Sequence, residues 1–231
     1  MTPDVAAANR HIRRGLVITA IGLVGLAALY VLALEYTPTE RFQGLAQKIY
    51  YVHPPGAYAM QLAFTVVGIV SALYLWLRDE RLDHVAEASA EVGLVFAVLT
   101  LVTGPIWGKP VWGAWWTWDS RLTFTLIEFL LFAGYFALRS AMHDRFDRAR
   151  YSAVVGTMAL LLVSFNHLTV YLYNTTHPKP IVMQTSKPAL PDEMLGTFLV
   201  GLAVFTVLYV GFVMTRYGIG VRRAMQEAAH A

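Results

Sequence analysis

Six long stretches of this chain are apolar, and each carries at most one Asp, Glu, Lys or Arg. They are Leu16–Leu34, Gly56–Leu77, Ala88–Ile106, Leu122–Leu138, Ser152–Tyr173 and Met194–Thr215. About 20 apolar residues in helical conformation cross a hydrocarbon layer of roughly 30 Å. Lipid offers no partners to unpaired backbone groups, so such runs must be helices. The expected fold is therefore all-α, a polytopic membrane protein of six transmembrane helices. It forms one integral membrane domain over 1–231, with no room for a soluble one. The first run follows Arg10, Arg13 and Arg14 but is longer than a signal-peptide core, so it reads as a retained span.

Charge sets the expected orientation. With the N-terminus inside, twelve basic residues fall on the inner side (Arg10, Arg13, Arg14, Arg78, Arg81, Arg139, Arg145, Arg148, Arg150, Arg216, Arg222 and Arg223). Six fall outside: Arg41, Lys48, Lys109, Arg121, Lys179 and Lys187. The positive-inside rule then puts both termini in the cytoplasm. The net charge of +3 reports orientation and contact with anionic membrane lipid rather than nucleic acid. The chain has no cysteine, so a metal must be held by His, Met or carboxylate. No G-x-x-x-x-G-K-[ST] phosphate loop is present.

The inner links are short and charged, whereas the outer ones are longer or chemically unusual, which puts the function outside. Between the third and fourth runs, about 107–123, stand Trp107, Trp112, Trp115, Trp116 and Trp118. These are five of the six tryptophans. An interfacial aromatic belt would be spread over every helix end. A local cluster instead suggests a platform for a planar ligand, with Gly104, Gly108 and Gly113 permitting close backbone approach. Lys109 and Arg121 offer cations to anionic edges. Asp119 is expected to cap the next helix or to pair with Arg121. Haem fits this description well, and a quinone fits it in part.

Seven histidines accompany the platform. His11, His84, His143 and His230 fall on the inner side and read as solvated or interfacial residues. His53 follows Thr37–Val52, an expected interfacial helix whose Phe42, Leu45, Ile49 and Val52 form one apolar stripe. Pro54 and Pro55 then start the second span. His177 lies where Asn174, Thr175, Thr176 and the prolines after it end the fifth span. Two outer imidazoles flanking an indole cluster are plausible axial ligands for haem iron. Within the spans, His167 is expected to bond to Asn166 or a neighbouring helix. Glu128 is expected to be either a partner of His167 or a protonated structural residue.

From Trp107 through Thr123 the sequence resembles the haem-handling WWD proteins and, within them, the CcmC (haem exporter protein C) family. The six-span plan and chain length extend the likeness over nearly the whole chain. The resemblance implies transient binding of b-type haem at the periplasmic face of a bacterial inner membrane. His53, in Val52-His-Pro-Pro-Gly-Ala-Tyr58, and His177, in Tyr173-Asn-Thr-Thr-His177, would be its axial ligands. It implies delivery to the chaperone CcmE during cytochrome c maturation, with CcmA and CcmB as ABC partners and CcmD as a companion. The role is carriage, not catalysis. Two features depart from the family pattern: Leu172 and Tyr173 stand where a Trp pair is usual, and Tyr58 where a Trp is frequent. Alternatives are a haem transporter, a haem lyase acting on apocytochrome, and a b-type electron carrier, whose ligands would lie inside the spans.

Overall fold

A computed structural model describes residues 5–177, 182 and 188–230. Lys179 and Lys187, counted above among the outer cations, lie outside the described residues, as does most of the proline-rich link before Pro191. The described residues form helices α1 (Val5–Val31), α2 (His53–Leu77), α3 (Glu80–Trp112), α4 (Ser120–Ala141), α5 (Arg145–Leu172) and α6 (Asp192–His230), and no strand. Six helices are long and apolar enough to cross a membrane. The chain is thus an all-α, multi-pass membrane protein, as its apolar runs require.

Helix boundaries follow local chemistry. The side chains of Asp79, Asp119 and Asp144 accept hydrogen bonds from the first free amides of α3, α4 and α5. Prolines occupy the first turn of α2, where a missing N–H costs nothing. Gly113, at φ 77°, ends α3 in the left-handed conformation that glycine tolerates best. The helices therefore extend beyond the apolar runs, and the inner links shrink to a few residues. The tryptophan segment is also not all link. Its first part, Trp107 to Trp112, lengthens α3 through Pro105 and Pro110. Each proline removes one ladder bond but leaves the following bonds intact.

The expected interfacial helix over Thr37–Val52 is a correction. α1 runs on through a π-helical turn, Leu32–Tyr36, and only Leu45–Tyr51 is helical beyond it, as a 3-10 segment. Between them Glu40 folds back to accept from the amides of Phe42 and Gln43 at 2.8 and 2.6 Å. Gly44 then takes φ 56°. The tighter repeat breaks the expected stripe: Phe42 is 93% exposed, while Lys48 turns inward. The Lys48 ammonium donates to the Thr37 carbonyl at 2.5 Å and to Pro38 at 3.3 Å, tying this strap down.

The bundle is packed by aromatic rings and by close backbone approach. Phe64 and Phe132 stack at 3.8 Å between α2 and α4. α1 lies against α6 through Ala8, Gly15, Gly22 and Leu29, all buried and seven residues apart. A Cβ on Gly22 would sit 2.7 Å from Leu208, and one on Gly218 would sit 2.8 Å from the Ala8 carbonyl. This is the small-residue packing that membrane helices use in place of hydrophobic burial. At the end remote from the tryptophan segment, buried Arg139 of α4 joins Asp83 at 2.7 Å and Glu87 at 3.1 Å on α3. Arg216 of α6 reaches Glu91.

Candidate functional site

α2 begins at His53, and α3 ends at Trp112 beside it. His53 is only 8% exposed. Its ring meets the face of α3 at Gly104, where an added Cβ would lie 3.2 Å from Cε1. One turn on, Trp107 lies 5.8 Å from His53, centroid to centroid. Trp107 is 6.4 Å from Trp112, and Trp112 is 5.2 Å from His177. Trp112 in turn lies over Gly108, where a Cβ would come within 3.0 Å of its ring. Two histidines far apart in sequence are thus joined by a row of two indoles, with His53 and Trp112 seated on glycines at positions i and i+4 of one helix face.

Hydrogen bonding fixes the chemistry of His53, and an ion-pair contact addresses His177. Thr103 Oγ1 lies 2.9 Å from His53 Nδ1 and 2.7 Å from the Leu99 carbonyl. A threonine hydroxyl has one proton to give. The Leu99 carbonyl can only accept it, so Thr103 accepts from His53 Nδ1–H. Nε2 of His53 is left with its lone pair, the form that binds a metal. His177 Nδ1 lies 3.7 Å from Asp119 Oδ2, an ion-pair distance longer than a hydrogen bond. That nitrogen is buried and has no hydrogen-bond partner among the described residues.

Asp119 is the hinge of the second half of the site. One carboxylate oxygen caps α4 through the Leu122 amide at 3.0 Å. The other accepts from the Thr176 amide at 3.2 Å and from the Thr176 hydroxyl, drawing the loop after α5 against the tryptophan segment. Burial opposes the charge of Asp119. Even so, His177, Thr176 and the Leu122 amide hold its carboxyl well below the usual carboxylate range. Of its two expected structural roles, capping is present. Pairing is not, because Arg121 donates to the Asn166 carbonyl at 3.0 Å.

The remaining candidates divide. Trp116 is partly buried, against Trp118, and its indole N–H has no partner among the described residues. Trp115 and Trp118 are 60% and 76% exposed and stand away from the imidazoles. Lys109 is exposed and donates to the Gly113 carbonyl at 3.0 Å, closing the turn after α3. His167 faces outward, not into the bundle. Of the two alternatives for Glu128, pairing with His167 is therefore not the one the structure takes. Glu128 is fully buried and accepts from Gln61 at 2.9 Å. Asn166, which donates to Thr125 at 3.2 Å, also approaches the Glu128 carboxyl.

Four contributors escaped the sequence reading: Gln43, Tyr50, Thr103 and Thr176. Gln43 accepts from the Trp107 indole, and Tyr50 packs edge-on against the same ring at 6.0 Å. Thr103 sits four residues before Trp107, so helical spacing alone puts it on the same face. Such a donor set fits haem in two respects. It leaves His53 Nε2 for iron, with the His177 imidazole at the other end of the row, and it leaves a buried indole N–H that can serve a carboxylate edge.

Comparison with known proteins gives a consistent result. The model of the family described as CcmC, heme exporter protein C, matches residues 5–230. The chain is similar to heme exporter protein C of Haemophilus influenzae, at 33% identity over 84% of this chain and 79% of the relative. It is 36% identical to that of Bradyrhizobium diazoefficiens over 85% of this chain and 78% of the relative. A putative cytochrome c biosynthesis ccmC-like mitochondrial protein of Marchantia polymorpha is 30% identical over 81% and 79% of the two chains. With a family match across nearly its whole length, a six-helix membrane fold and a histidine–tryptophan site, this chain belongs to the CcmC (heme exporter protein C) family.

Proposed function

We propose that this protein holds haem as cargo at the outer face of the bacterial inner membrane and passes it to the chaperone CcmE for cytochrome c maturation. The observation that carries the reading is the row His53–Trp107–Trp112–His177, with ring-to-ring steps of 5.8, 6.4 and 5.2 Å. His53 and His177 act as axial ligands, and Trp107 and Trp112 line the porphyrin. Trp116, whose buried indole N–H has no partner among the described residues, and Arg121 serve as donors for propionates. Trp115 and Trp118 form an exposed indole rim, suited to contact with the edge of the cargo or with the receiving chaperone. The distribution of Lys and Arg supports the periplasmic placement of this end.

The role is carriage. Bis-imidazole ligation saturates the iron and leaves no open coordination position for chemistry at the metal. The sequence carries no phosphate-binding loop, so the energy for release falls to CcmA and CcmB, with CcmD as companion. The test is an absorption spectrum of purified protein loaded with haem, comparing wild type, His53→Ala and His177→Ala. Each variant is expected to lose the low-spin bis-histidine spectrum. An unchanged Soret band in both would refute the assignment. Co-expression with a cytochrome substrate but no CcmE should yield no covalent cytochrome.

A further inference from the structure

Given bis-histidine carriage, on which this inference rests, we infer that Thr103 and Asp119 are positioning residues that make the two axial bonds unequal, so that His53 lets go of the iron first. Both residues stand on the Nδ1 side of their histidine, away from Nε2. Thr103 does this with a neutral hydroxyl at 2.9 Å, already committed as a donor to Leu99. Asp119 stands there as a carboxylate 3.7 Å from Nδ1, at ion-pair rather than hydrogen-bond distance, and is itself fixed by Leu122 and Thr176 at the N-terminus of α4. Histidine ligands gain basicity from acceptors and negative charge behind their other nitrogen. The full charge of the Asp119 carboxylate acts through space across 3.7 Å, whereas neutral Thr103 acts only through its hydrogen bond.

Placement points the same way. His53 is the first residue of α2 and is enclosed by Gly104, Trp107 and Thr103, so it keeps its position when the iron leaves. His177 belongs to the loop that Asp119 holds against the tryptophan segment. A carrier must bind its cargo firmly yet open one coordination position to the recipient's own ligand. A neutral-backed imidazole opposite a carboxylate-backed one provides that without moving a helix.

The experiment uses the full-length protein loaded with ferrous haem and titrated with carbon monoxide, which displaces the weaker axial ligand. Thr103→Val is expected to raise the affinity for carbon monoxide about tenfold, the scale on which the partners of ligating histidines act. Thr103→Ser should restore the wild-type value. The C–O stretching frequency reports the ligand left on the far side of the iron. It should shift in Asp119→Asn, which can still cap α4, and stay at the wild-type value in Thr103→Val. Equal affinity in wild type and Thr103→Val would overturn the inference, as would a C–O stretch that follows Thr103 and ignores Asp119. If Thr103→Val takes up no haem, the response of the stretch to Asp119→Asn decides alone. Failure of the bis-histidine reading is distinguishable, because His53→Ala and His177→Ala would then keep the wild-type spectrum before any gas is added.

Discussion

Gln43 Oε1 accepts a 3.0 Å hydrogen bond from Trp107 Nε1, across a separation of 64 residues. The bond anchors the strap between α1 and α2 to the last turns of α3, and it fixes the tilt of the indole that faces His53. Gln43→Ala is therefore expected to weaken haem retention several-fold, through about 1 kcal/mol of lost orientation. Trp107→Phe removes the same bond from the other side. The double variant should retain haem no worse than Trp107→Phe alone, as a double-mutant cycle would reveal. Full additivity would mean that the two residues act separately.

Gly104→Ala tests the close approach of α3 to His53. The new methyl would stand 3.2 Å from Cε1, closer than van der Waals contact, and the imidazole has no room to retreat without leaving Thr103. Overpacking of this kind costs about 1 kcal/mol or more. The expected result is roughly fivefold or greater loss of bound haem, with helical content by circular dichroism unchanged. Unaltered retention would show that the ring adjusts freely.

Buried Arg139 predicts a stability effect without a direct effect on the site. Arg139→Met strands Asp83 and Glu87 without their cation. Removing one partner of a buried ion pair costs about 3–5 kcal/mol. Thermal unfolding in detergent should fall by several degrees or more. Protein that remains folded should show a wild-type haem spectrum, because the clamp lies at the far end of α3 and α4.

Glu128 and Asn166 each bury a carbonyl-type oxygen with no donor among the described residues. A single hydrogen between them would satisfy both. Glu128→Gln supplies it permanently while still accepting from Gln61, so thermal stability should match the wild type or exceed it. Glu128→Leu leaves Gln61 without its acceptor and the Asn166 oxygen without a donor, and should cost about 1–3 kcal/mol. Equal destabilisation by both variants would mean that a charged carboxylate is required.

Much of the architecture was legible because lipid imposes a simple rule: long runs without charge must be helices, and the Asp caps and the prolines mark where four of them start. His53 was legible for a similar reason, since Pro54 and Pro55 leave the chain little choice but to begin α2 there. The division among the tryptophans was not. It depends on α3 continuing through Pro110 and on Gly113 turning the backbone just after Trp112, which sends Trp115 and Trp118 outward. Thr103 sits in an apolar run, where a hydroxyl facing lipid and one facing an imidazole look alike in sequence. Gln43 has a partner far away in the chain, and no local pattern announces it. The strap was misread because an apolar period of three and four describes a helix only when nothing interrupts it, and Glu40 with Gly44 does interrupt it.

The glycine seam between α1 and α6 has a consequence for biogenesis. α1 has its partner in α6, which is translated after the four helices between them, so until then its bare backbone groove faces acyl chains. The other four helices can find neighbours as they emerge, but the outermost joint closes only after α6 has entered the bilayer. A nascent chain arrested before that point would carry an open flank, one that membrane proteases could distinguish from the finished protein.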